Sequence, residues 1–308
     1  MQSDNESQRR WAIILAGGEG ARLSSLTQRI AGDGRPKQFC SVLGDSSLIE
    51  QTRRRVCLSV TDDQILVVVN RAHERYYRPL VGDMRRQNLV IQPGNRGTGA
   101  AILYSLLRLA KLEPTAYVAL FPSDHFISDE RHFMHHVDLA FQVVRSRPEL
   151  TVLLGIAADS AETAYGWVKP GQPIATTRAS VFEVHQFWEK PSAETAKRLL
   201  DRAWLWNSFI MVARLSTLLG MVMLTVPDLY RAFARVSSSL LTSSEERSVE
   251  NLYASIEATD FSQDVLVRRP INLAVLPVRG CQWSDLGEPA RVIEVLSRQK
   301  IQPRWNAA

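Results

Sequence analysis

Five short runs of aliphatic residues do most to limit what this chain can fold into: AIILA at 12–16, ILVVV at 65–69, LVI at 89–91, AYVALF at 116–121 and TVLLGI at 151–156. A strand with one face in water alternates apolar and polar residues. A run that is apolar at every position is covered on both faces, as in a parallel sheet flanked by helices. Helix-like stretches fill the intervals at 47–60, 73–81, 98–112 and 130–146. Strands and helices taking turns predict an α/β fold built on a doubly wound, mostly parallel, Rossmann-like sheet.

The second half changes character. VFEVHQFWEK at 181–190 alternates like a half-exposed strand, 194–204 reads as a helix and LWNSFIMVA at 205–213 as another strand. Residues 214–256 read as helical with a break at Pro227 and a serine-rich loop at 237–244. INLAVLPV at 271–278 and QWSDL at 282–286 return to extended structure before a closing helix at 289–299. With no repeat and no long linker, the expectation is a polar tail over 1–10 and one domain over 11–300. Its nucleotide half is expected at about 11–160 and a mixed, sugar-binding half at about 161–300.

Composition matters for what it excludes. With 37 basic against 32 acidic residues the net charge is only +5, and the basic residues are scattered. That suits a small anion better than a nucleic-acid polymer, which calls for a dense basic stripe. The triplet Arg53 to Arg55 reads as the solvated face of a helix. Cys40, Cys57 and Cys281 are far apart and odd in number, so they read as buried reduced thiols rather than as a disulfide framework. No run is long and apolar enough to span a bilayer and the start is polar, so a cytoplasmic location without membrane contact is expected. His132, His135 and His136 lack an HExxH pattern and read as helix residues, not zinc ligands.

Open α/β sheets bind ligands beyond the carboxyl ends of their strands. After the first strand comes GGEGAR, where Gly17, Gly18 and Gly20 let backbone N–H groups approach phosphate and Arg22 adds charge. A plain tight turn explains the same glycines. The segment matches neither the P-loop nor GxGxxG, whose third glycine would fall at Leu23, and no GxSxG nucleophile motif occurs. RPKQF places Lys37 on the same long loop, where lysine and arginine together suit a polyphosphate; a surface lysine is the ordinary alternative. QPGNRGTGAAI, with Gln92, Asn95, Gly97 and Thr98, offers amides to the edge of a base, or is only a turn with a threonine N-cap. Asp124, in FPSDHFI, suits magnesium on a triphosphate, or caps a helix. Farther on, Lys190 suits a phosphate, Glu189 and Asn207 suit sugar hydroxyls and Asp285 suits the same metal, though each has an explanation as a turn residue.

Taken in order, GGEGARL, RPKQF, QPGNRGTGAAI, PSDHFI, AYGWVKPG, FWEKP, WNSF and WSDLG resemble the nucleoside-diphosphate-sugar pyrophosphorylases from about Trp11 to about Val295. KQF, the NRGT loop and PSDH resemble more narrowly the branch that joins GTP to mannose 1-phosphate. The resemblance implies attack of a sugar phosphate oxygen on the α-phosphorus of a nucleoside triphosphate, giving GDP-mannose and pyrophosphate, with no enzyme nucleophile. It implies that Gly17, Gly18 and Gly20 approach the nucleotide, that Arg22 and Lys37 bind its phosphates, and that Asp124 and Asp285 hold Mg²⁺. It further implies that Lys190 neutralises the sugar phosphate, that Gly166, Glu189 and Asn207 contact the sugar, and that the 92–98 loop with Gln92, Asn95, Gly97 and Thr98 faces the base.

This sequence departs from the family's pattern in four places. Gln92 stands where an acidic residue is common, GNRGTGAA replaces GRNTAPA, WNSF replaces WNSG, and TDFSQDV resembles the SIDY segment without its flanks. They fall mainly in segments assigned to base and sugar, so the reaction is implied more closely than either substrate. The chain stops soon after WSDLG, so no C-terminal β-helix is expected. A relative using another base or hexose phosphate, and a non-catalytic sugar-nucleotide sensor, remain open, as does a homodimer. The missing third glycine disfavours a nicotinamide dehydrogenase.

Overall fold

A computed structural model describes residues 9–176, 179–268, 272–303 and 305. The tail expected at 1–10 lies almost wholly outside the described residues, as does Ile271. The strands are β1 (Arg10–Ala16), β2 (Ile65–Asn70), β3 (Leu89–Gln92), β4 (Tyr117–Pro122), β5 (Phe126–Ile127) and β6 (Thr151–Ala157). They continue with β7 (Gly166–Ile174), β8 (Val181–Glu189), β9 (Leu205–Arg214), β10 (Leu273–Val278) and β11 (Trp283–Ser284). All five aliphatic runs are strands, and every residue of β2 is buried, as a strand covered on both faces must be.

By internal contacts the chain divides into two compact units. One takes Ala12–Asn95, Phe121–Met134 and the residues from Cys281 onward; the other takes Arg96–Leu120 and His135–Gly280 with the residues up to Trp11. The first holds the parallel strands β1, β2 and β3, with Ala12 opposite Ile65 and Val67 opposite Leu89. The antiparallel pair β5 and β11 is built from distant parts of the chain. Beneath its loops, Leu23, Leu26, Cys40, Val42, Leu43 and Leu48 pack with Leu286, Val292, Val295 and Leu296. Burial of these apolar side chains fixes the loops they bracket.

The second unit is mixed. Its strands run in the order β4, β9, β6, β10, β8, β7, and β7 pairs again with β9, so five of them close on themselves. Only β10 and β6 are parallel there; β4–β9, β6–β9, β10–β8 and β7–β8 are antiparallel. The three helices of the 214–256 segment are Leu215–Thr225, Pro227–Val236 and Glu245–Ser255, with Pro227 opening the second. Proline there loses no helical hydrogen bond, because the first N–H groups of a helix have no partner within it.

Several expectations are corrected. The helix Ser24–Ala31 and strand β7 have no counterpart in the sequence reading. Pro170 and Pro173 sit in β7 where its register against β8 shifts, which is where a sheet accepts residues lacking a donor. QWSDL is extended only at Trp283–Ser284. The arginine triplet is not a solvated face: Arg55 is buried, paired with Glu130 at 3.0 Å and donating to the His125 carbonyl. Arg53 bridges Asp62 and Asp83. Of the three free thiols only Cys40 is buried, while Cys57 is exposed and Cys281 partly so.

Burial pushes the Cys40 thiol up to about 11. Titration with a thiol reagent at pH 8 is therefore expected to modify Cys57 in the native protein and Cys40 only after denaturation; rapid native labelling of Cys40 would contradict its placement.

No helix among the described residues is long and apolar enough to cross a membrane.

Candidate active site

In the first unit the chain leaves β1 at Ala16, passes through Gly17, Gly18, Glu19 and Gly20, and enters a 3-10 turn at Ala21–Leu23. Gly20 has φ +63°, and a Cβ there would lie 3.0 Å from the Lys37 nitrogen and 3.2 Å from Pro36 Cα. Only glycine takes that conformation without strain and lets the RPKQF backbone approach so closely. The Gln92 carboxamide, buried at the end of β3, abuts Gly17. Gly18 is exposed, and no atom lies within 4 Å of where its Cβ would stand.

The short turn Lys37–Phe39 sends three consecutive side chains to three different neighbours. Lys37 is buried, so it is not a surface lysine; its Nζ donates to the carbonyls of Asp285 at 2.5 Å and Leu286 at 3.1 Å, and lies 3.3 Å from Asp124 Oδ2. Gln38 donates to the carbonyls of Ala16 and Gly18. Phe39 packs edge-on against His73 and stacks on Tyr76.

Asp124 follows β4 in a loop held by its own backbone: Ser123 N–H donates to the Leu15 carbonyl, and Thr52 donates to the Ser123 carbonyl. It does not cap the next helix; Asp129 does, accepting from the His132 N–H. His125 lies edge-on to Trp283, and burial pushes its imidazole down to about 4, so it is neutral near pH 7. The Asp285 carboxylate accepts from Arg291 at 2.7 Å and from the Gly287 N–H at 2.8 Å. Burial alone would raise this carboxyl, but His125, Lys37 and Arg291 around it hold it below the usual carboxylate range.

Among the described residues no three of His, Cys, Asp and Glu gather into a site able to enclose a metal by themselves. Two carboxylates, that of Asp124 beside the Lys37 ammonium and that of Asp285 held by Arg291, suit a hard divalent ion that arrives already bound to phosphate oxygens. Arg22 and Asn95 are exposed at the rims of their loops.

The second unit carries the remaining residues. Pairing of β7 with both β8 and β9 sets Gly166 opposite Glu189 and Trp167 opposite Trp206. A Cβ on Gly166 would stand 2.6 Å from Glu189 Oε2 and 3.3 Å from Asn207 Cβ, so the bare backbone is what lets these two side chains converge. Burial pushes the Glu189 carboxyl up, opposed by Lys190, whose Nζ lies 3.6 Å from Glu189 Oε1. Lys190 follows β8 with φ +49°, its N–H on the Tyr165 carbonyl and its side chain exposed.

Asn207 opens a bulge in β9. Its Oδ1 accepts from the Phe209 N–H, Ser208 donates to the Leu154 carbonyl, and Phe209, at φ +60°, sets its ring against Phe261. Gly97 and Thr98 begin the helix Gly97–Leu112, yet Thr98 is not its N-cap; that position is Arg96. The Thr98 hydroxyl accepts from the Phe261 N–H, and the Thr259 carbonyl accepts from the Gly99 N–H, tying the helix start to the 259–261 segment. Gln92 and Asn95 thus belong to one unit and Gly97 and Thr98 to the other.

Sequence reasoning missed Gln38, His125 and Arg291. The first two sit beside assigned residues in RPKQF and PSDH, but nothing in the closing helix distinguishes Arg291 from any exposed arginine.

A model of the nucleotidyl transferase family matches residues 11–300. The alginate biosynthesis protein AlgA of Pseudomonas syringae pv. tomato is 30% identical over 285 residues, 89% of this chain and 56% of that protein. A mannose-1-phosphate guanylyltransferase of Salmonella montevideo is 27% identical over 289 residues, 92% of this chain and 59% of that one. The chain thus spans somewhat over half the length of these curated relatives. A crystal structure described as a mannose-1-phosphate geranyltransferase from Thermus thermophilus superposes with a TM-score of 0.77 at 24% identity, covering 91% of this chain and 76% of that one, and so shares the fold.

Proposed function

This chain belongs to the nucleotidyl transferase family, and we propose that it transfers a nucleotidyl group from a nucleoside triphosphate, GTP, to a hexose 1-phosphate, mannose 1-phosphate. An oxygen of the sugar phosphate attacks the α-phosphorus in line; the bond to the β-phosphate bridging oxygen breaks and pyrophosphate leaves. No covalent enzyme intermediate is needed, so the protein's work is to hold both anions in line and to stabilise charge.

The observation that supports this reading most is the Lys37 ammonium, fixed by two backbone carbonyls and the Asp124 carboxylate beside a glycine loop. Gly17, Gly18 and Gly20 leave the loop backbone open to a triphosphate, and Arg22 and Lys37 supply positive charge. Gln92, Asn95, Gly97 and Thr98 serve the base. Asp124 and Asp285 would hold a magnesium ion, which when bound supplies charge neutralisation on the phosphates. Gly166, Glu189 and Asn207 receive the sugar and Lys190 its phosphate.

Pyrophosphate release from a panel of nucleoside triphosphates and hexose 1-phosphates with Mg²⁺ tests the proposal. GTP with mannose 1-phosphate is expected to give the highest kcat/KM. Another preferred pair would reassign the substrates, and no turnover with any pair would overturn the reaction.

Lys190→Ala is expected to raise the KM for the sugar phosphate about 10- to 100-fold while leaving the nucleotide KM near wild type, since a positioned cation on a phosphate contributes on this scale. An unchanged sugar-phosphate KM would remove Lys190 from the site.

A further inference from the structure

The nucleotidyl-transfer reading gives Lys37 a task and leaves its neighbour without one. Gln38 is 2% exposed. Its Nε2 donates to the Ala16 carbonyl at 3.0 Å and to the Gly18 carbonyl at 2.7 Å, on the two peptide units that flank Gly17 and Gly18. A trans peptide is planar, with its C=O and N–H pointing in opposite directions. Holding the Gly18 carbonyl toward Gln38 therefore turns the N–H of Glu19 to the other side of the loop. The Ala16 carbonyl fixes the Gly17 N–H in the same sense. The Glu19 N–H donates to no described residue.

Glycines make peptide flips inexpensive, so this loop has no intrinsic preference for showing donors rather than carbonyls to an approaching anion. The loop's own negative charge is drawn aside: the Glu19 carboxylate is met by Asn70 Nδ2 at 3.4 Å and by His73 Nε2 at 3.3 Å. His73 in turn rests against Phe39, the residue after Gln38. One turn, Lys37–Phe39, thus supplies the cation, fixes the direction of the loop peptides and supports the residue that holds Glu19.

We propose that Gln38 is a positioning residue that sets the polarity of the glycine loop, directing its carbonyls inward and its N–H groups toward phosphate. The proposal rests on the nucleotidyl-transfer reading only in naming phosphate as the anion.

Calorimetric titration of wild type, Gln38→Met and Gln38→Glu with inorganic tripolyphosphate, GTP and guanosine tests it. Gln38→Met keeps the length of the side chain without its donors, and Gln38→Glu keeps its shape while setting acceptor against acceptor. Both are expected to lose affinity for tripolyphosphate and GTP by about 10- to 100-fold, the scale on which supporting hydrogen bonds act on a site, with guanosine binding unchanged. In turnover the nucleotide KM is expected to rise, with the sugar-phosphate KM unmoved. Tripolyphosphate affinity within twofold of wild type in either folded variant would overturn the proposal. A wild type that binds tripolyphosphate but turns nothing over would overturn the reaction and leave this inference standing; one that binds no tripolyphosphate would overturn this inference, while the reaction stands or falls by turnover. Independently of any variant, the Glu19 amide resonance of the wild type is expected to shift on adding tripolyphosphate, and an unmoved resonance would count against the proposal.

Discussion

Asp124→Ala is expected to lower kcat/KM by at least about a thousandfold, or about 4 kcal/mol of transition-state stabilisation, with a melting temperature close to that of the wild type. The two outcomes separate because Asp124 does little for the fold. It sits partly exposed in a loop anchored by the backbone of Ser123, and its contact with Lys37 is an ion pair at 3.3 Å. A partly exposed pair contributes about 1 kcal/mol or less to stability, while Lys37 keeps both of its carbonyl acceptors when the carboxylate is gone. The proposed chemistry asks far more of that carboxylate, as the donor that would keep a divalent ion on the triphosphate. Asp124→Asn, which keeps the shape and removes the charge, is expected to behave like the alanine variant. Activity within tenfold of wild type at saturating Mg²⁺ would remove Asp124 from the metal site.

Lys37→Met is expected to fail in two ways at once. Methionine retains much of the apolar stem but no donor, so the carbonyls of Asp285 and Leu286 lose the group that satisfies them. Leaving buried acceptors unpaired costs about 1–3 kcal/mol each, which should appear as a lower midpoint in denaturant. Loss of the ammonium is separately expected to reduce kcat/KM by about 100- to 1000-fold, the usual scale for one charge-stabilising donor. Lys37→Arg should not rescue activity, because a planar fork does not replace a compact ammonium among two carbonyls and a carboxylate. A stable, active Lys37→Arg protein would show that the site asks only for positive charge.

What is legible in the sequence follows from how locally each feature is encoded. Strands β1, β2, β3, β4 and β6 announce themselves as aliphatic runs because both faces are covered. Strand β7 is hidden because it holds two prolines and Gly171, residues that lower strand propensity wherever they occur. What makes it a strand is pairing with β8 and β9, which no local signal reports. The same holds for the charged residues. Arg55 reads like Arg53 and Arg54 in sequence, and only Glu130 and the His125 carbonyl, 75 and 70 positions away, explain its burial. Gln38 escapes notice because an uncharged amide beside a lysine carries no chemical signature until its two carbonyl partners are known. The residues proposed to meet substrate lie in motifs, whereas one proposed to orient a motif is legible mainly through its contacts.

Residue Lys37 also ties this half of the protein to the order in which the chain is made. The carbonyls that fix its ammonium lie 248 and 249 positions downstream. Strand β11, next to them, is the only partner of β5 among the described residues. At about 5–20 residues per second of synthesis, the lysine emerges on the order of tens of seconds before the groups that hold it. For that interval the glycine loop and the lysine belong to a nascent chain in which the ammonium lacks the two carbonyls that fix it. The lysine takes up its fixed position only once Asp285 and Leu286 have left the ribosome.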